Sequence, residues 1–80
     1  MDEFNKFLRK ADAKLKMQLR KAMHAIIEDN LKELDVEPLA GQKNMFRCRV
    51  RDVRILFMRT GHGNMLCGIG FRGGVYKKLK

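Results

Sequence analysis

Phe46-Arg47-Cys48-Arg49-Val50-Arg51-Asp52-Val53-Arg54-Ile55-Leu56-Phe57 is the stretch whose period decides the fold. Apolar and cationic side chains alternate, which is the pattern of a strand buried on one face. Phe46, Cys48 and Val50 share one phase, and Arg47, Arg49 and Arg51 share the other. Arg51-Asp52 reads as a short turn. Residues 53–58 then form a second strand, with Ile55 and Phe57 on the apolar side and Arg54 and Leu56 opposite. Such a sheet carries guanidinium groups in fixed positions, and the planar fork of arginine suits phosphate oxygens.

Downstream, Thr60-Gly61-His62-Gly63-Asn64 reads as a hairpin turn, because Gly and Asn tolerate positive φ. Residues 65–70 supply a third strand. Gly73-Gly74 interrupts the chain before Val75-Tyr76, within a second cationic cluster that includes Arg72 and Lys77. Upstream the period changes to that of a helix. Phe4, Phe7, Leu8 and Ala11 keep helical spacing, with Asp2 a candidate N-cap. Leu15, Leu19, Ala22, Met23, Ile26 and Ile27 form a longer apolar stripe, and Asp12 is placed to cap its start. Leu31, Leu34 and Val36 continue to a turn over residues 38–41. The expected fold class is α+β: two N-terminal helices, as a hairpin, on an antiparallel sheet of three to four strands. No linker or repeat divides the chain, so residues 1–80 are read as a single domain.

The charge balance narrows the partners. Lys and Arg number 18 against 9 Asp and Glu, a net charge of +9 and a pI near 10.1. That surplus favours nucleic acid, an acidic protein or an anionic membrane surface. The apolar stripes of the helices are needed for the core, which disfavours the membrane. No apolar run approaches the roughly 20 residues of a membrane-spanning helix, and the chain is read as cytoplasmic. Cys48 and Cys67 lack zinc-site spacing. Both fall in the apolar phase of strands and are read as small buried hydrophobes, with a disulfide between them left open. Met17, Met23, Met45, Met58 and Met65 are read as core or groove fillers, and His24 and His62 as a helix flank and a turn. No metal or cofactor is expected.

The ordered set Leu39-x-Gly41, Phe46-Arg47-x-Arg49-Val50, Val53-Arg54-Ile55-Leu56-Phe57, Ile69-Gly70-x-Arg72 and Val75-Tyr76 resembles the RelE/ParE superfamily of toxins from toxin–antitoxin modules. The resemblance covers roughly residues 7–78. It departs from the family at the start, where a strand usually precedes the helices. RelE-like members cleave mRNA on the ribosome, and ParE-like members inhibit DNA gyrase. Carried over by position, the resemblance implies a catalytic set of Arg47, Arg49, Arg54, Arg72 and Tyr76. RNA contacts would come from Arg47, Arg49, Arg51, Lys77 and Lys78. It also implies a cognate antitoxin, the ribosome and mRNA as partners. The alternatives are a ParE-like gyrase inhibitor and a non-catalytic RNA-binding relative. Family members that carry lysine at the two strand positions have a proton carrier there. Arginine at both, with no Glu or His inside the motif, gives a site suited to charge stabilisation and poor in proton transfer.

Overall fold

The computed structural model describes residues 2–71. Two helices, α1 (Asp2–Lys10) and α2 (Ala13–Ile27), precede four strands: β1 (Asp35–Pro38), β2 (Met45–Val50), β3 (Val53–Thr60) and β4 (Gly63–Phe71). The strands form one antiparallel sheet in chain order, β1-β2-β3-β4. The α+β class expected from the periodicities is observed. Among the described residues no strand precedes α1, and no helix is long and apolar enough to cross a membrane.

The helix stripes do what their spacing requires. Phe4 and Leu8 of α1, with Leu19, Ala22 and Ile26 of α2, pack on Cys48, Val53, Ile55, Phe57 and Ile69 from one face of the sheet. Asp12 separates the two helices and caps the second, its Oδ1 accepting from the Leu15 N–H at 2.7 Å. Asp2 is itself the first helical residue of α1, so it does not serve as the N-cap. At the far end of α2 the Asp29 N–H donates to Ile26 O and the Asn30 N–H to Ala25 O, a Schellman closure. Asp29 takes the left-handed position, φ 58°, that glycine usually fills. Its carboxylate is the reason for a costlier residue there: it accepts from Arg59 Nη2 and Asn64 Nδ2, tying the helix end to β3 and β4. Arg59 also lies over the Phe46 ring, so it belongs to the same clamp.

Three sequence expectations are corrected. Asp35–Pro38 is a strand, although the turn was placed to begin at Pro38. Four residues with Asp, Glu and Pro among them carry little β propensity, and a proline is tolerated because β1 lies at the sheet edge. Cys48 is buried, but Cys67 is exposed and both are free thiols. Leu56 pairs with Gly68 while Phe57 pairs with Leu66. Cys67 is therefore the extra residue of a β-bulge and loses its place in the apolar phase. The methionines also divide: Met45 is buried, Met23 and Met58 are half-buried, and Met17 and Met65 are exposed.

Candidate functional site

The registers arrange the outer face of the sheet, away from the helices, in transverse rows. One row is Asp35, Arg49, Arg54 and Gly70, from β1 to β4. The next is Glu37, Arg47, Leu56 and Gly68, and beyond it lie Met45, Met58 and Met65. Arg47, Arg49 and Arg54 therefore converge on one face, as their alternation predicts. Arg51 does not join them. It sits in the β2–β3 turn with φ 57°, a left-handed backbone that costs a non-glycine residue about 1–2 kcal/mol.

The missed strand changes the character of this face. Glu37 accepts a hydrogen bond from Arg47 Nη2, and Asp35 Oδ2 accepts one from Arg49 Nε at 2.8 Å. The arginine row is thus partly neutralised by carboxylates that lie ten or more residues earlier in the chain. The Arg47 side chain is only 15% exposed, and its Nη1 is buried with no partner among the described residues. Arg49 is half exposed and engages Asp35 through Nε, which leaves its terminal nitrogens without a described partner. Arg54 is half-buried and has no ion-pair partner among the described residues. Arg49 and Arg54 are direct cross-strand neighbours. Like charges so placed are destabilising by themselves.

Beside the arginines the outer face is apolar. Leu56 is fully buried there by Met45, Leu39 and Met58. Beneath the row, on the helix side, burial pushes the Cys48 thiol up to about 11; the Asp35 charge adds to the rise and Arg47 opposes it. That thiol is inert at neutral pH. His24 lies exposed at the end of α2, 3.5 Å from Glu28, and His62 is exposed in the β3–β4 turn, so neither histidine reaches the sheet face. Arg72, Tyr76, Lys77 and Lys78, carried over from the resemblance, lie outside the described residues. Asp35 and Glu37 were missed by the sequence reading. The available signal was their two-residue spacing around Val36, which puts both carboxylates on one side of a strand.

Two helices on a four-stranded antiparallel sheet, with cations on the open face, define an α+β architecture consistent with a RelE-like fold. No protein-family model matches the sequence, and no curated protein sequence matches it. Among solved structures the chain is similar to one chain of the RelB-RelE antitoxin-toxin complex from Methanococcus jannaschii. The TM-score is 0.64 at 22% identity, covering 91% of this chain and 88% of that one. At that identity the likeness is one of fold.

Proposed function

We propose that this chain is the toxin of a toxin–antitoxin pair and acts as a ribosome-dependent mRNA endoribonuclease. The observation that carries the reading is the Arg49–Arg54 cross-strand pair on the open sheet face, within a fold shared with a chain of an antitoxin-toxin complex. Two arginines directly opposite each other on neighbouring strands are suited to the non-bridging oxygens of one phosphodiester. In this reading the RNA 2′-hydroxyl oxygen attacks the adjacent phosphorus and gives its proton to water, the bond to the 5′-oxygen breaks and that oxygen takes a proton from water to leave as a 5′-hydroxyl, and a 2′,3′-cyclic phosphate is left. Arg49 and Arg54 stabilise the doubly charged phosphorane, as preorganised donors do for developing charge. Arg72 would add a further clamp and Tyr76 would orient the 2′-hydroxyl. The ribosome contributes the in-line geometry that a site without a strong general base needs. The neutralising partner would be an acidic segment that folds over the basic face.

A second reading, a non-catalytic RNA binder, is favoured by one observation: Glu37 and Asp35 already occupy Arg47 and Arg49. The test is a translation reaction on a defined message, with primer extension across the A-site codon. Cleavage that survives EDTA, yields cyclic or 3′-phosphate ends and is lost in Arg54→Ala supports the nuclease. Intact message with salt-sensitive RNA binding supports the binder. Inhibition of gyrase supercoiling without either would transfer the chain to the ParE-like class.

A further inference from the structure

Sulfur is unevenly placed in this protein. Three of the six methionines, Met45, Met58 and Met65, fall in a single transverse row across β2, β3 and β4. Met58 is the direct cross-strand partner of both others, on strands whose backbones lie about 4.7–4.9 Å apart. Cys67 joins them from β4. It follows Met65 by two residues and is the bulge residue without a partner on β3. Its Sγ donates to the Met65 carbonyl oxygen at 3.4 Å, and a backbone hydrogen bond at Met58 acts on the same thiol. The thiol therefore stands beside the backbones of Met58 and Met65.

Packing explains one end of this row and not the other. Met45 is buried with Leu56, and Leu39 and Met58 pack against them. Met65 is 52% exposed and Cys67 is exposed as well, which forgoes the burial that makes Met and Cys useful as core fillers. The buried cluster on the helix side, by contrast, contains a single sulfur, that of Cys48. Among the described residues no three His, Cys, Asp or Glu side chains converge, so the ordinary ligand sets of zinc and of hard cations are absent there. Thioethers with a thiolate select a soft metal ion, Cu(I) above all. Leu39, Met45 and Leu56 supply an apolar floor next to the sulfurs, and an apolar shell limits the access of water to a bound metal.

We propose that Met58, Met65 and Cys67 form a Cu(I)-binding site on the outer face of the sheet. The two thioether sulfurs and the Cys67 thiolate are its three ligands, and the thiol proton passes to solvent as the metal binds. The row of Arg47, Leu56 and Gly68 separates the site from Arg49 and Arg54. No arginine takes part in it, and it does not depend on RNA binding or cleavage.

The test is an anaerobic titration of the reduced protein with Cu(I), in competition with a chromogenic Cu(I) chelator. A parallel titration with Ag(I), a redox-inert probe of the same softness, follows the methionine methyl chemical shifts. A single ion should bind per chain. The methyl signals of Met58 and Met65 should move, and those of Met17 and Met23 should stay where they are. Met65→Leu keeps the volume and removes the thioether at an exposed position, so the fold is not at risk; affinity should fall about tenfold or more, the scale on which even outer-shell changes at metal sites act. Cys67→Ser should weaken binding further, and Cys48→Ala should leave it unchanged. Zn(II) should not displace the bound ion. Failure to take Cu(I) from the chelator, an affinity unaltered by Met65→Leu, or displacement by Zn(II) would overturn the proposal. So would binding that is lost in Cys67→Ser with no methionine methyl shift, which would reduce the site to a single reactive thiol.

Discussion

Arg49 and Arg54 face each other directly across β2 and β3, and the nearest carboxylate in their row, Asp35, hydrogen-bonds only the first of them. Arg54 is thereby the cation of the row without a described counter-charge. Replacing it with Gln should lower RNA affinity and flatten the dependence of log affinity on log salt by roughly one unit, as loss of one phosphate contact does. An unchanged slope, measured by fluorescence anisotropy with a short oligoribonucleotide, would remove Arg54 from the phosphate contacts.

Asp35 holds Arg49 through its Nε, so under the proposed function it competes with phosphate for that guanidinium. Asp35→Asn keeps the side-chain shape and removes the charge, so RNA affinity should rise and the salt slope should steepen. A loss of affinity in this variant would show that the carboxylate serves the RNA complex instead of opposing it.

Glu37 plays a different part, because its partner is mostly buried. Glu37→Ala leaves the Arg47 guanidinium, 15% exposed, without its one described acceptor. The expected cost is about 1–3 kcal/mol in a urea melt, whereas Arg49→Ala, at a half-exposed pair, should cost under about 1 kcal/mol. The reverse ranking would mean that β1 is held by its outer pair.

Phe57 is fully buried in the core shared by the sheet and the helices and stacks on Phe46 with ring centroids 5.5 Å apart. Phe57→Ala should cost about 3–5 kcal/mol as a cavity-forming change. A cost near that of Arg49→Ala would place the strand phase one residue out.

The Cys48 thiol is raised from 9.0 to about 11, chiefly by burial. A raised thiol favours the folded state while protonated. That contribution is whole below pH 9.0 and is lost as pH rises through about 11. The melting temperature of the wild type should therefore fall more steeply over this window than that of Cys48→Ala. Alkylation of the native protein should label Cys67 and spare Cys48. Parallel pH curves would show that the thiol does not ionise differently in the two states.

Local pattern determined most of the architecture. The switch from a 3.6-residue to a two-residue period separated helices from strands. Asp12 marked the helix start, and the phase of Phe46, Cys48, Ile55 and Phe57 identified the core face, because both are short-range consequences of backbone geometry. Tertiary structure alone decided what the arginines meet. β1 is too short and too polar to declare itself, and it exists because β2 offers it a pairing edge. Through that pairing Asp35 and Glu37 arrive beside Arg49 and Arg47, and the sheet face changes from a bare cationic row to one partly neutralised. The exposure of Cys67 follows from a bulge whose register no local period encodes. Charge and periodicity belong to the sequence, whereas the pairing of charges depends on which segments the fold brings within hydrogen-bond reach.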